Sequence, residues 1–278
     1  MFKRIFFMLL LLTTLFVGVA NAGLYENEND YIHATVNGEI NWSEMTIRSK
    51  GKSKDFIDSS DDKAAYFTSE EAAISDAQYN LFETLKEVPL SSSYYIDDSI
   101  YLYAEVKSGL KALLPTAKVI GAPVVHDDGS TEVILELSLT GKVLDMMFPK
   151  KENLPKGLGK PFQGRGRYTS IIFNAQELKF SPVLLPLIID SNDEIYHDLN
   201  KKNRKMAVKN GMVRYYKSLE AAKKSAFAGK KPYIIEDVQL HNYKEDTLLS
   251  HFAILEKVRN NAFYSEIISR CKVIIVIK

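Results

Sequence analysis

The stretch AKVIGAPVVHDDGSTEVILELSLTG, residues 117–141, reads as a β-hairpin. Val133, Leu135, Leu137 and Leu139 alternate with Ile134, Glu136, Ser138 and Thr140, so the second arm has one apolar face. Asp128-Gly129 supplies the positive backbone dihedrals that a tight turn needs. A strand with one apolar face must lay it against another element.

The residues upstream supply that element. Ile74, Ala77, Leu81, Leu85 and Val88 recur at steps of three and four, which places them on one stripe of a helix. Thr68 and Glu71 have capping-box spacing, so the helix is expected to start there, and Pro89 ends it. A second helix is expected from an Asp97/Asp98 cap, with Ile100, Tyr103, Val106, Leu110 and Leu113 on its buried side before Pro115. Earlier still, residues 31–53 carry Thr35, Val36, Ile40, Trp42, Met45 and Ile47 around the turn former Asn37-Gly38, the mark of one or two strands. The order strand, helix, helix, strand, strand predicts an α+β layer over residues 23–148, an antiparallel sheet with two helices on one face.

Residues 149–167, PKKENLPKGLGKPFQGRGR, hold three prolines and four glycines without apolar periodicity, and read as a linker or long exposed loop. The glycines there lack phosphate-loop spacing. Beyond it, residues 168–278 read as a second, mixed α/β domain. YTSIIFNA and PVLLPLIID are strand-like, and Pro182 and Pro186 confine the latter to an edge or a bulge. NGMVRYY and PYIIEDVQL are each expected as one strand, and Ser218 caps a short helix through Leu219, Ala222 and Phe227 that Gly229 closes. Asp246 or Thr247 is expected to cap a helix carrying Leu248, Phe252, Leu255 and Val258. CKVIIVI is a continuous apolar run, as in a strand covered on both faces.

ATVNGEINWSEMTIRSKGKS, SEEAAISDAQYNLFETLKEV and KVIGAPVVHDDGSTEVILELSLTG together resemble the domain of the FlgP and lipoprotein-20 family of exported outer-membrane and flagellar-associated proteins. The first domain of the flagellar ring protein FlgT is similar to that family too. The resemblance spans residues 31–148 and is one of pattern. It implies a non-enzymatic domain that assembles into rings or decorates the outer membrane, and it carries over no catalytic residue. Lipidated members have a cysteine where Gly23 stands here, so the resemblance implies export without a lipid anchor.

The start of the chain agrees with export. Lys3 and Arg4, an apolar run over residues 5–19 and the small residues of Ala20-Asn21-Ala22 read as a signal peptide over residues 1–22, cleaved after Ala22. Without Lys3 and Arg4 the balance is 34 basic residues against 35 acidic, which excludes a global basic field for nucleic acid. Cys271 is the one cysteine in the chain, so no intramolecular disulfide forms and packing must hold the fold.

Several clusters invite chemistry. Asp190, Asp193, Glu194, His197 and Asp198 lie close in sequence, but their spacing misses the calcium-loop pattern, and short polar residues between two apolar runs suit a hairpin tip. His33, His126, His197, His241 and His251 show no zinc-hydrolase spacing, and His251 falls on an apolar stripe. Cys271 precedes an apolar strand and is expected as a structural thiol, and the serine-hydrolase elbow is absent. The basic run over residues 200–209 is read as a solvated loop, with contact to anionic envelope components as the functional alternative. Tyr94, Tyr95, Tyr101 and Tyr103 surround a helix start, where a rigid apolar ring ending in a hydroxyl suits an interface.

The sequence therefore predicts a periplasmic, non-enzymatic assembly or scaffold protein of the cell envelope. Through the resemblance, the flagellum is a candidate setting for it. Its expected partners are further copies of itself or other envelope proteins, with no nucleic acid, no cofactor and no assigned catalytic or metal residue. The alternative is a periplasmic module with a ligand between the two domains. A third reading, a hydrolase using the Asp190 to Asp198 acids, stands behind both.

Overall fold

The computed structural model describes residues 23–53, 62–148, 168–190, 195–197, 204–242, 245–250, 267 and 270–278. The expected linker at 149–167 and the expected signal peptide at 1–22 lie outside them. No helix among the described residues is long and apolar enough to cross a membrane.

The N-terminal half is the predicted α+β layer. Strands β1 (Ile32–Ala34), β2 (Glu39–Asn41) and β3 (Thr46–Lys52) precede helix α1 (Asp62–Lys86). The short strands β4 (Pro89–Ser91) and β5 (Tyr94–Tyr95) lead into helices α2 (Ile96–Leu102) and α3 (Ala104–Leu113). Strands β6 (Lys118–Val119), β7 (Val124–Val125) and β8 (Thr131–Ser138) follow, then helix α4 (Lys142–Met147). The antiparallel sheet runs β1-β2-β3-β8, with β6 and β7 both paired along the outer side of β8. The quoted hairpin is therefore real, with Val124 opposite Glu132 and Gly129 at φ +78° in its tip.

Alternation along β8 buries Val133, Leu135 and Leu137, as expected, and α1 lies on that face. Gly51 of β3 is where helix and strand meet: a Cβ there would strike the backbone of Ala73 and Ala77. Hydroxyl pairs line the same contact, Ser49 with Thr84 at 2.9 Å and Ser69 with Thr131 at 3.0 Å, so small polar side chains bury without losing their partners.

Two helix expectations need correction. α1 is already helical at Asp62, so Thr68 sits inside the helix and is not its cap. The single second helix is two, broken at Tyr103, whose φ of −129° and ψ of 107° are extended. Asp98 acts three residues into α2, where its carboxylate accepts the Tyr95 amide at 2.7 Å. The break also turns Tyr103 off the buried stripe, which keeps Ile100, Val106, Leu110 and Leu113.

The C-terminal half adds β9 (Ser170–Asn174), β10 (Leu187–Asp190), β11 (Ile195–His197), α5 (Arg204–Asn210), β12 (Arg214–Tyr216) and α6 (Leu219–Lys224). After these come β13 (Pro232–Ile235), β14 (Val238–Leu240), β15 (Thr247–Ser250) and β16 (Val273–Val276). They form a parallel sheet, β12-β16-β9-β13, and a mixed sheet, β11-β10-β15-β14. All four residues of β16 are buried, as its unbroken apolar run predicts.

Here too the differences have physical causes. PYIIEDVQL is split, and its two strands serve different sheets. Residues 247–250 form a strand and not a helix start, because pairing with β10 and β14 supplies backbone partners that a local capping pattern does not reveal; the remainder of that expected helix, 251–258, lies outside the described residues. β10 is interior to its sheet and not at an edge, but its pairing with β11 shifts register between Ile188 and Ile189, the irregularity expected as the alternative, and Pro182 and Pro186 precede the strand. Part of the basic run is the helix α5, with Ala207 buried, and not a loop. Ser218 does cap α6, accepting the Ala221 amide at 3.1 Å, although the helix ends at Lys224, short of Phe227.

Candidate functional site

The two halves meet in a seam built from the β2–β3 turn and β12. Asn41 starts the turn, its side-chain oxygen accepting the amides of Ser43 at 3.0 Å and Glu44 at 2.9 Å. Met45 closes it in the left-handed region at φ 57°. This geometry points Ser43 and Trp42 at the C-terminal half. The Ser43 hydroxyl accepts the Tyr31 amide at 2.8 Å and donates to the Tyr215 carbonyl, while the Tyr215 amide donates to the Trp42 carbonyl at 3.3 Å. The rings of Trp42 and Tyr215 meet edge to face, 5.6 Å between centroids. The Tyr215 hydroxyl donates to the Val183 carbonyl at 2.7 Å and accepts that residue's amide at 3.2 Å. Burial pushes this phenol well above its ordinary pKa.

Other ties run alongside. Asp30 bridges to Tyr216 and takes the side-chain amides of Asn27 and Asn41 at 2.8 and 2.7 Å. The Leu184 amide donates to the Pro89 carbonyl at 2.9 Å, and the buried Asp246 carboxylate accepts the Ser92 amide at 2.7 Å. Arg204 pairs with Asp145 at 2.8 Å, and the Gly141 amide donates to the Val208 carbonyl at 2.7 Å. One apolar core, from Ile40 and Leu81 to Phe173 and Ile275, continues across the seam. Sequence reasoning missed this seam. The unique Trp42 was its one local signal, since the Ser43–Tyr215 bond joins residues 172 apart.

On the surface, the tyrosine cluster divides. Tyr94 packs against the core. Tyr101, Leu102 and Tyr103 stand exposed at the α2–α3 break, Tyr101 to 88%, and Tyr95 stands exposed at the start of α2. Three consecutive large apolar residues in water are an unusual feature of a folded surface.

The expected chemical clusters resolve differently. Asp190 ends β10 and His197 lies in β11, two strands that pair antiparallel, and residues 191–194 lie outside the described residues. Asp193, Glu194, Asp198 and His251 lie outside the described residues. His33 is exposed on β1, the His126 ring stands 3.8 Å from the Glu132 carboxylate, and His241 lies 2.9 Å from the Asn242 amide. Cys271 is fully buried with Leu144, Phe148, Ala207 and Met212. Among the described residues, no group of three His, Cys, Asp or Glu side chains could hold a metal ion.

Comparison with known proteins bears on the C-terminal half. A family model described as the second domain of Treponema pallidum Tp0624 matches residues 170–278, from the first residue of β9 onward. No curated protein matches the chain.

Proposed function

We propose that this protein is an exported, non-enzymatic scaffold or assembly component of the cell envelope, acting in the periplasm through self-association or contact with other envelope proteins. The observation that carries it is the exposed Tyr101, Leu102 and Tyr103 at the α2–α3 break, with exposed Tyr95 at the start of α2. Tyrosines of this kind give large contact area at small entropic cost, with a hydroxyl to fix orientation. The N-terminal pattern's resemblance to the FlgP and lipoprotein-20 family supports the same reading and suggests the flagellum as one setting. So does the seam, whose described part is filled by Trp42, Tyr215 and Phe180, where the alternative reading would place a ligand.

The test is the molar mass of the processed chain, residues 23–278, by light scattering, against a Tyr101→Ser/Leu102→Ser variant. Both side chains are exposed, so the variant is expected to melt within a degree or so of the parent. The parent is expected to gain mass with concentration and the variant to lose that gain. Equal masses for the two would remove the tyrosine surface from the assembly.

A further inference from the structure

Phe227, just beyond α6, packs on the face of the parallel sheet that carries Ile172, Ile274 and Val276. Two cations share its ring. The Arg214 guanidinium lies 4.6 Å from the ring centroid and the Lys272 ammonium 4.1 Å, so neither is farther from the other than those distances joined. Register explains the convergence: Arg214 pairs with Ile274 across parallel strands, and Lys272 lies two residues before Ile274 on the same side. A third cation, Lys209, lies in the last turn of α5, whose final residue Asn210 donates to the Arg270 carbonyl at 2.8 Å in the turn leading to Lys272.

Like charges brought together need a reason. Arg214 donates through Nη1 to the Ser43 carbonyl at 2.7 Å and to Glu44 at 3.3 Å, yet its Nε is buried without a hydrogen-bond partner among the described residues. Lys272 reaches the Phe227 carbonyl only at 3.4 Å. Glu44 is the carboxylate paired with Arg214, and its side chain is mostly exposed. Asp30, which bridges to Tyr216 at the other end of β12, is occupied by the amides of Asn27 and Asn41. Burial, then Arg214 and Lys209, push the Lys272 ammonium below its ordinary pKa, as expected where positive charge is in excess.

We propose that Arg214, Lys272 and Lys209 form a binding site for a phosphoryl oxyanion beside Phe227. A guanidinium fork and two ammonium groups suit the several oxygens of a phosphoryl group. This site lies apart from the tyrosine surface and does not depend on the scaffold reading.

The experiment is thermal melting and calorimetric titration of residues 23–278 with inorganic phosphate and pyrophosphate, against chloride at equal ionic strength. Saturable stabilisation by phosphate is expected. Lys272→Gln should melt no lower than the parent in chloride, because it relieves repulsion, and should bind phosphate roughly tenfold more weakly, the loss of one charge-assisted contact. Lys209→Gln, on the end of an exposed helix turn, should weaken binding in the same direction. No stabilisation beyond chloride, or equal phosphate binding by Lys272→Gln and the parent, would overturn the site. Flotation with vesicles containing phosphatidic acid then separates the sources. Binding that free phosphate competes away assigns a lipid headgroup, and phosphate binding without flotation assigns a small soluble phosphate.

Discussion

At the residue scale the molecule turns on Tyr215. Its hydroxyl satisfies both backbone groups of Val183 inside the core, so Tyr215→Phe leaves a buried carbonyl and a buried amide without that partner. That change is expected to cost about 1–3 kcal/mol in denaturant unfolding, and no measurable cost would mean that Val183 finds other partners. Tyr25, Tyr31 and Tyr216 share with Tyr215 a phenol that burial pushes above its ordinary value. A raised folded pKa gives stability that is complete below the unfolded value, about 10, and is lost as pH rises from there through the raised folded value. The melting temperature should therefore fall above about pH 10, with a shallower fall in Tyr215→Phe; a flat alkaline profile would contradict the burial of these groups. Some of this scale was legible. Ser218 as a cap and Asp128-Gly129 as a turn were readable because each acts on its own neighbours. Tyr215 was not, since its partners lie far away in sequence.

At the element scale, periodicity succeeded where one element decides its own burial. β8 and β16 follow their apolar patterns, and α1 buries Ala77, Leu81 and Leu85 as its spacing requires. It failed where pairing decides. Residues 247–250 look like a helix cap followed by an apolar stripe, yet two flanking strands claim their backbone. The α2–α3 break likewise has no proline or glycine to announce it, and it exposes Tyr103. Gly51 gives the sharpest test of how α1 sits. Its missing side chain lets the helix rest on β3, so Gly51→Val must push Ala73 and Ala77 away. We expect a loss of about 1–3 kcal/mol or more, measured by chemical denaturation. A Gly51→Val variant as stable as the parent would contradict the close packing.

At the scale of the whole molecule, the two halves that composition separates at residues 149–167 share a core and a hydrogen-bonded seam. Calorimetry is expected to give one unfolding transition whose van't Hoff and calorimetric enthalpies agree, and two resolved transitions would mean that the seam is weak. The α+β class was legible in the order of elements; the joining of the halves was not, because backbone contacts between distant segments leave no periodic trace. Association remains the property on which the proposed function stands. Sedimentation velocity of residues 23–278 over a hundredfold concentration range, roughly micromolar to a hundred micromolar, measures it directly. Closed or growing oligomers that Tyr101→Ser/Leu102→Ser abolishes are the predicted result, and a monomer at every concentration would contradict self-assembly.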